Sequence, residues 1–257
     1  MTSRLILAPT VELVARTVPD EAAIERWLGD TQWTAGGTGT PAERVVEGAA
    51  RGCYWSYGAG RDTPAYFENI LGHEHLSVLE HASFTFAIRG VSRSLTHELV
   101  RHRHSSPSQL SQRYCDQADE EIGLGLVVPV AMLPMHDKWQ AAEDIAGNLT
   151  GDASVFYHWM AACEESIDEY RFLRDHLIAT GHDRKSAHDA ARSLLPEACE
   201  TRLWFSGNAR AWYEAAEKRT HPSAAPEIRR LFRAVLALLT PEMPLVFGRL
   251  AGEGEEG

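Results

Sequence analysis

The sequence predicts an α+β protein folded as a single domain over residues 1–257. Three observations support this prediction. A few short segments alternate apolar and polar residues as strands do, whereas many longer segments place apolar residues at helical spacing. The two kinds of segment follow one another in mixed order, which is typical of α+β folds. The chain also lacks an internal repeat and a flexible linker at which two domains would separate.

Three segments have the two-residue alternation of half-buried strands, namely residues 11–17, 83–89 and 201–207. In residues 83–89 two phenylalanines and an isoleucine form one face, and Gly90 is expected to end the strand. Residues 122–133 are apolar but are interrupted by two glycines and a proline. They therefore predict at most a short strand.

Helices are predicted from their start and stop signals. Thr40-Pro41-Ala42-Glu43 is a capping box with proline in the first turn, and it opens a helix through about Tyr54. Thr63-Pro64 opens a second helix, which Gly72 ends. Further helices are expected from about Asp137, from Asp152 to Thr180, from Asp183 to before Pro196, from Asn208 to Arg219, and from Pro226 to before Thr240. Three irregular segments are expected: a loop at 36–40, an acidic surface loop at 115–121 and a disordered tail from about 250 to 257.

Composition excludes several classes of protein. The formal net charge is −11, with 25 Lys+Arg against 36 Asp+Glu, and no basic domain marks a general nucleic-acid binder. No apolar run is long enough to cross a bilayer, and the N-terminus lacks the pattern of a signal peptide. The four cysteines, Cys53, Cys115, Cys163 and Cys199, have no CxxC or disulfide-framework spacing. We therefore expect a reduced, cytoplasmic protein that binds neither membrane nor nucleic acid.

Against this acidic background, residues 97–114 (HELVRHRHSSPSQLSQRY) concentrate three arginines, three histidines and four serines. Ser92 or Ser94 is predicted to cap a helix that ends near His104, with Arg93, His97 and Arg101 on its polar face. Arg101 and Arg103 would then lie in its last turn, and the following serines on a loop. Buried guanidinium groups are costly unless paired, and their planar fork matches phosphate or carboxylate. The stretch therefore predicts an anion-binding site.

Three other interpretations compete with an anion site. A run of charges is often only a solvated helix face, but here it continues into a serine-rich segment and a further arginine. A metal site is suggested by the HxH pairs at 73–75 and 102–104, yet on a helix this spacing separates the two rings and Arg103 would repel a cation. We expect no metal. A catalytically silent RNA- or nucleotide-binding module would interleave aromatics with arginine, and the stretch has only Tyr114.

The stretch resembles the signature of the flavin-dependent thymidylate synthases: Arg-His-Arg, seven residues, then Ser. Here Arg101-His102-Arg103 precedes Ser111 at that spacing. Further segments resemble the family in the same order: HLSVLEHASFTF before the motif, RSLLP at 192–196, GNARAW at 207–212, and KRT…PEIRRL at 218–231. The resemblance extends from about residue 40 to 250 and is weak near 131–155.

The resemblance implies the family's thymidylate synthase-complementing fold, a central, mostly antiparallel sheet flanked by helices. It implies a homotetramer that binds FAD at sites built where subunits meet, and that methylates dUMP at C5 with methylenetetrahydrofolate and NADPH. The flavin would be bound by His75, Ser77, Glu80, Arg101, His102, Arg103, His104, Asn208 and Arg210. The nucleotide would be bound by Glu98, Gln109, Leu110, Ser111, Gln112 and Arg113, and by Arg192 and Arg219 of a neighbouring subunit.

The residues assigned to catalysis by this resemblance are Arg101, Ser111, Arg113, Arg192 and Arg219. Arginines directed at the pyrimidine carbonyls would stabilise negative charge on the uracil ring. No cysteine lies within the motif, and Cys115 is interpreted as an inert packing residue. Ser111 is interpreted as a donor that positions the nucleotide, because no dedicated base for it is evident.

The loop between Arg103 and Ser111 departs from the family. Pro107 stands where an aromatic residue is usual, and Ser105 where many bacterial members have phenylalanine. Both changes remove bulk, which weakens stacking or makes room for a ribose with its 2′-hydroxyl. A branch of the family in nucleoside-antibiotic pathways, of the polyoxin type, methylates UMP to 5-methyl-UMP. UMP is therefore the alternative substrate.

Overall fold

The computed structural model describes residues 3–29, 31, 39–58, 60–119, 121–142 and 149–252. The strands are β1 (Leu5–Ile6), β2 (Thr10–Arg16), β3 (Ser83–Ser92), β4 (Ser105–Gln109), β5 (Leu126–Val127) and β6 (Glu200–Asn208). The helices are α1 (Glu21–Leu28), α2 (Pro41–Tyr54), α3 (Thr63–Gly72), α4 (Arg93–Leu99), α5 (Leu133–Gln140), α6 (Gly151–Ala179), α7 (Arg184–Ala191), α8 (Ala209–Thr220), α9 (Pro226–Glu242) and α10 (Pro244–Gly252). Short 3₁₀ helices occupy Leu76–His81, Val130–Met132 and Arg192–Leu194.

Four strands form a sheet in the order β2-β3-β6-β4. Backbone hydrogen bonds join the end of one strand to the start of its neighbour. The amide of Thr17, after β2, donates to the carbonyl of Ser83, which begins β3. The amide of Leu110, after β4, likewise donates to Arg202 near the start of β6. The sheet is therefore antiparallel and the α+β prediction is confirmed. A separate two-stranded sheet pairs β1 with β5 in parallel, Leu5 opposite Leu126.

The Cα packing resolves two compact units. The first consists of residues 1–10, 88–99 and 108–203, and the second of residues 11–87, 100–107 and 204–257. The first unit contains the two-stranded sheet and α4 to α7; the second contains α1 to α3 and α8 to α10. That all 257 residues form one domain stays a prediction.

The core of the first unit is built against one face of the long helix α6. Phe156 and Met160 pack beside Val128, and Cys163 packs with Leu126 further along the helix. Tyr170 is fully buried on the same helix. Burial is the main reason that its pKa rises to about 12.

The predicted acidic surface loop at 115–121 is only partly a surface loop. Asp116 accepts a hydrogen bond from the hydroxyl of Tyr170 and pairs with Arg174. Gln117 is buried and donates to the backbone carbonyl of Glu200. Asp116 and Gln117 therefore attach the loop to the core, which its acidic composition did not indicate.

The core of the second unit is aromatic and centred on Trp212 of α8. Its ring contacts Phe86 at a centroid distance of 4.8 Å and Phe205 at 5.4 Å, both edge to face. Such pairs stabilise by about 0.5–1.5 kcal/mol beyond area burial. The indole Nε1 donates to the carbonyl of Phe84, so its polar atom is satisfied. The alternating phenylalanines of β3 thus fix the position of α8.

Glu200, 1% exposed, organises the first unit at the start of β6. One carboxylate oxygen accepts from the backbone amide of Gly90 at 2.9 Å. The other accepts from Arg4 at 2.8 Å and from the amide of Gly125 at 3.3 Å. Each glycine is required for its own reason. A Cβ at position 125 would lie 2.2 Å from the carbonyl oxygen of Arg4, and position 90 has a φ of +71°, which favours glycine.

Most helix starts follow the sequence signals. The Thr40–Glu43 capping box is formed in both directions, and α2 ends at Tyr54 as predicted. Side chains of Asp183 and Asn208 cap α7 and α8. Asp62, directly before the predicted Thr63 start, caps α3.

Three predictions around the central stretch are wrong. The strand β3 does not end at Gly90 but continues to Ser92: glycine adopts the positive φ at position 90 without strain, and its amide is satisfied by the Glu200 carboxylate. The helix α4 is capped by Ser92 as predicted but ends at Leu99, so Arg101 and Arg103 lie beyond it. The predicted serine loop is the strand β4, since its backbone pairs with β6.

Other differences lie outside this stretch. The helix α9 continues through Pro241, which removes one backbone donor near the helix end. The elements β1, α1 and α10 were not predicted. The helix α10 reaches Gly252, so the expected disorder is wrong at 250–252, while 253–257 lie outside the described residues. Most of the predicted 36–40 loop also lies outside them. No helix in the described part of the chain is both long and apolar enough to cross a membrane.

Replacing Glu200 with alanine is expected to lower the free energy of unfolding by roughly 3–5 kcal/mol, because it leaves two buried amides and one guanidinium without their acceptor. Urea denaturation followed by circular dichroism measures the change. Glu197→Ala is the matched control: its side chain is exposed, so a change within about 0.5 kcal/mol is expected. Equal effects of the two substitutions would contradict the role given to Glu200.

Candidate active site

The predicted site residues separate between the two units. The first unit holds most of those predicted to bind the nucleotide: Glu98, Gln109, Leu110, Ser111, Gln112, Arg113 and Arg192. The second unit holds those predicted to bind the flavin together with Arg219: His75, Ser77, Glu80, Arg101, His102, Arg103, His104, Asn208 and Arg210.

In the first unit one aspartate joins two predicted nucleotide arginines. Oδ1 of Asp189 lies 2.8 Å from Nη2 of Arg192 and 3.1 Å from Nε of Arg113. All three side chains are 39–42% exposed, so the ion pairs contribute little to stability. Two guanidinium groups thus share one carboxylate and keep an excess of one positive charge. Arg192 shares this carboxylate with Arg113 of the same chain. That Arg192 reaches the nucleotide of a neighbouring subunit stays a prediction.

A cavity of about 350 Å³ opens beside this cluster. It is lined by Arg93, His97, Gln112, Asp189, Arg192, Ser193, Leu195, Pro196 and Glu197. Burial lowers the pKa of Arg93, and the Glu197 carboxylate acts in the opposite direction. The cavity therefore combines two arginines with two carboxylates at its wall.

Gln109 and Leu110 are held by β6 and α4. The side-chain amide of Gln109 donates to the hydroxyls of Thr96, at 3.1 Å, and Thr201, at 3.2 Å. The backbone amide of Leu110 donates to the carbonyl of Arg202 at 2.9 Å. Both hydroxyl partners are buried. The start of the predicted nucleotide segment is thus fixed on the sheet.

Ser111 and Gln112 continue this segment in a turn. The Ser111 hydroxyl accepts from the backbone amide of Arg113 at 3.4 Å, and its carbonyl accepts from Cys115. The amide of Gln112 donates to Gln117 at 3.2 Å. No described side chain forms a hydrogen bond that would make Ser111 a nucleophile, which agrees with a positioning role.

In the second unit the residues after α4 present their charges to solvent. Arg101, Arg103 and His104 are exposed, whereas Glu98, which precedes them in the last turn of α4 and belongs to the first unit, is half-buried. Within the described ranges we find no ion pair for Arg101 or Arg103. Exposed arginines without a protein carboxylate are available to an anionic ligand.

His102 is the exception in this stretch because it is half-buried. Its Nε2 accepts a hydrogen bond from Nε of Arg219 at 3.1 Å, and its ring lies 6.0 Å from that of Phe232. Burial lowers the pKa of His102, and the charges of Arg219 and Lys218 lower it further. Both effects favour the neutral ring, and a neutral ring that accepts at Nε2 carries its proton on Nδ1. The structure brings Arg219 to the arginine–histidine motif of its own chain.

The other predicted flavin residues lie at the start of α8 and on the neighbouring 3₁₀ turn. Arg210 donates to Glu80 and to Glu214, each at 2.8 Å, so two predicted flavin residues are paired with each other. Asn208 uses its side-chain oxygen to cap α8. Ser77 is exposed on the 3₁₀ turn.

His75 lines a cavity of about 270 Å³ that the sequence did not predict. Its ring stacks on Tyr54 at 6.1 Å. Below them Arg51, 2% exposed, donates twice to one oxygen of Glu47 and lies 4.2 Å from the ring centroid of Tyr66. This buried pair fixes the cavity wall.

Sequence reasoning missed Asp189 and the aromatic residues beside His75. The signal for Asp189 was its position three residues before Arg192 at the end of a helix, where side chains meet. Tyr54 and Tyr66 have no signal beyond their places on helices. In the part of the chain that the structure describes, no group of three or more His, Cys, Asp or Glu side chains could hold a metal ion.

Comparison with known proteins identifies relatives of this chain. The family model described as thymidylate synthase complementing protein matches residues 38–245. The flavin-dependent thymidylate synthase of Mycobacteroides abscessus is 40% identical over 230 residues, 85% of this chain and 83% of that protein. The enzyme of the same name from Mycobacterium tuberculosis is 39% identical over 229 residues, 85% and 82% of the two chains.

A solved structure shares the fold. The UMP/dUMP methylase PolB from Streptomyces cacaoi, bound with 5-Br UMP, superposes with a TM-score of 0.66 over 99% of this chain and 98% of that one. Their sequences are 20% identical, so this similarity establishes the fold alone.

Replacing Arg219 with glutamine is expected to raise the pKa of His102 part of the way toward its ordinary value, since one charge is lost while burial, the larger cause, remains. Because the pKa of the folded state is depressed, His102 contributes stability above about pH 6.5 that is lost as the pH falls. NMR titration of the imidazole, assigned with His102→Gln, measures this change. Arg171→Gln removes an equal charge from α6 as a control. An unchanged titration in Arg219→Gln would contradict the contact.

Proposed function

This chain belongs to the flavin-dependent thymidylate synthase family, and from that premise we propose that it methylates a uridine-type 5′-monophosphate at C5. The methyl carbon comes from methylenetetrahydrofolate, the electrons from NADPH, and FAD is the cofactor. The first substrate proposed is dUMP, which gives dTMP. The observation that carries this proposal is the pair of arginines that share Asp189.

The arginine pair supports binding of a nucleotide phosphate. A monoester phosphate carries −1.5 to −2 charges near neutral pH and accepts paired donors from guanidinium groups. Arg113 and Arg192 already lie within hydrogen-bonding distance of one oxygen of Asp189. A bound phosphate would offer the two guanidinium groups more acceptor oxygens than the single Oδ1 of Asp189 does. Because the pair is exposed, exchanging the carboxylate for phosphate costs little stability.

The residues of the second unit support binding of a flavin. Arg101 and Arg103 are exposed within three positions of one another and offer cationic donors to a pyrophosphate. Neutral His102 and the aromatic wall beside His75 offer uncharged surface to a ring system. The donor set therefore fits FAD. When bound and reduced, this cofactor supplies the hydride of the reaction.

The protein's own part of the chemistry is positioning and electrostatic stabilisation. Arginines hold the phosphate and donate to the uracil carbonyls, where negative charge develops. Gln109 and Gln112 occupy fixed positions beside them because their amides are bound by buried partners. Ser111 orients the nucleotide through its hydroxyl and is not a nucleophile, which is consistent with the family's use of a hydride in place of covalent activation.

UMP is the second candidate substrate, because the strand β4 carries little bulk. Ser106, Pro107 and Ser108 are exposed, and Ser105 lies against Gly207. Three consecutive small side chains leave space beside Gln109, and their hydroxyls are able to donate to a ribose 2′-hydroxyl. Proline is compatible with an edge strand such as β4, where no partner needs its missing amide proton.

We further propose that the enzyme is a homotetramer whose active sites are completed by residues of neighbouring subunits, as the family resemblance implies. We also place it in the cytoplasm. All four cysteines are free, which supports a reducing compartment.

Two arginine substitutions test nucleotide binding and flavin binding separately. Arg192→Ala is expected to weaken binding of dUMP and UMP by roughly tenfold to a hundredfold, because one charge-assisted partner of the phosphate is lost, with flavin occupancy retained. Arg103→Ala is expected to lower flavin occupancy, measured from the flavin absorbance of the purified protein, with a smaller effect on thermal stability. Arg171→Ala, an exposed arginine of α6, serves as the control. A wild-type protein that gives no spectral change with FAD would refute the flavin proposal.

The nucleotide preference is tested by turnover with methylenetetrahydrofolate, NADPH and FAD, comparing dUMP with UMP. If β4 sets sugar tolerance, Pro107→Tyr shifts the ratio of kcat/KM for UMP over dUMP toward dUMP. The shift is limited to about a hundredfold, since tolerating an extra hydroxyl gives no greater discrimination. Ser106→Ala tests whether a hydroxyl of β4 contributes. If the enzyme converts dUMP but not UMP, the proposed thymidylate synthase function stands and UMP is excluded as the substrate.

A further inference from the structure

A polar cavity of about 310 Å³ lies in the first unit and shares no lining residue with the candidate active site. It is lined by Arg4, Leu5, Ile6, Ala8, Thr10, Arg89, Gly90, Glu200 and Arg202. We propose that this cavity, the β1 cavity, is a second anion site that binds a phosphate dianion. Nothing in the proposed methylation requires it.

The lining of the β1 cavity has an excess of positive charge. It contains three arginines and one carboxylate, which gives a formal charge of +2. The carboxylate of Glu200 is already satisfied by Arg4 at 2.8 Å and by the backbone amides of Gly90 and Gly125. Arg4 is therefore used by the fold, Arg202 is used in part, and Arg89 is left to a ligand.

Arg202 retains unused donor capacity at this cavity. Its Nε lies 3.6 Å from the Glu200 carboxylate, which is too far for a hydrogen bond. That nitrogen is shielded from solvent, and among the residues that the structure describes it has no hydrogen-bond partner. Its Nη2 donates to the carbonyl of Gly123 at 3.3 Å, which holds the side chain in place. A buried donor without an acceptor is costly, so an anion that gained access to it through a small movement of the Arg202 side chain would be stabilised by the new bond.

Arg89 supplies a further guanidinium at the cavity. It lies on the last part of β3, is exposed, and has no ion pair within the described ranges. The next residue, Gly90, turns its amide to Glu200, so the backbone that carries Arg89 is fixed beside the cavity. Two arginines on adjacent strands, β3 and β6, thus lie at one polar cavity.

The chemistry of the cavity suits a tetrahedral anion with about two negative charges, of which phosphate is the common biological example. A phosphate monoester or inorganic phosphate has close to two negative charges at neutral pH, equal to the excess of the lining, and matches two guanidinium forks. The volume is large enough for a phosphate group together with part of the molecule that carries it. The anion is either free phosphate or a phosphate group of a nucleotide such as NADPH. Titrations with each ligand distinguish the two.

The test is isothermal titration calorimetry of the flavin-loaded protein with inorganic phosphate at constant ionic strength. It is done in the Arg192→Gln background, so that phosphate binding at the candidate nucleotide site is weakened and the tighter site is measured separately. Phosphate is expected to bind, and adding Arg89→Gln is expected to weaken binding about tenfold, since one charge-assisted partner is lost. Arg202→Gln should have a similar effect, and Arg171→Gln, also in the first unit, should have none.

NADP⁺ and NAD⁺ are titrated in parallel. Tighter binding of NADP⁺ than of phosphate, lost in Arg89→Gln, identifies a nucleotide-borne phosphate; binding of phosphate alone identifies the free anion. Arg89→Gln is the decisive variant because Arg89 is exposed and its loss leaves the fold intact, as circular dichroism would verify. Absence of phosphate binding in the Arg192→Gln background, or equal affinity with and without Arg89, would overturn the proposal. Neither result depends on methylation activity, so the proposed function is tested separately.

Discussion

The first unit depends on one buried carboxylate. Glu200 begins β6 and accepts hydrogen bonds from a backbone amide of β3, from the amide before β5 and from Arg4 before β1. A carboxylate removed from water is stable only when several donors surround it. Its acceptors are satisfied only when all these segments are in place at once. The glycines at 90 and 125 leave the space that makes the approach possible.

The candidate active site uses charge in the opposite way. Its ion pairs are exposed and shared, as in the single oxygen of Asp189 between Arg113 and Arg192. Such pairs add little to stability, so a ligand is able to replace the carboxylate without unfolding the chain. The same contrast exists in the second unit, where the buried Arg51–Glu47 pair supports a cavity wall and the exposed Arg101 and Arg103 remain available. Burial therefore distinguishes arginines of the fold from arginines of the site.

The aromatic core of the second unit places the start of α8. Trp212 packs between phenylalanines of β3 and β6 and donates to the backbone of β3. This fixes Asn208 and Arg210 one turn before it. In the same unit Arg219, in the last turn of α8, reaches His102 and keeps its ring neutral. The helix α8 thus carries Arg210 and Arg219, which come from two separate sequence motifs. The packing of this one helix fixes the positions of both.

Local sequence determined the elements whose signals lie within a few residues: the capping box of α2, the Asn208 cap of α8 and the alternation of β3. It also determined the family, because the Arg101–Ser111 spacing is itself a sequence pattern. It did not determine where α4 ends or that residues 105–109 form a strand. The strand depends on backbone pairing with β6, nearly a hundred residues away. Only tertiary structure brought Asp189 between two arginines and left Arg202 at the β1 cavity, because a side chain's electrostatic partners are chosen by distance in space and not by spacing along the chain.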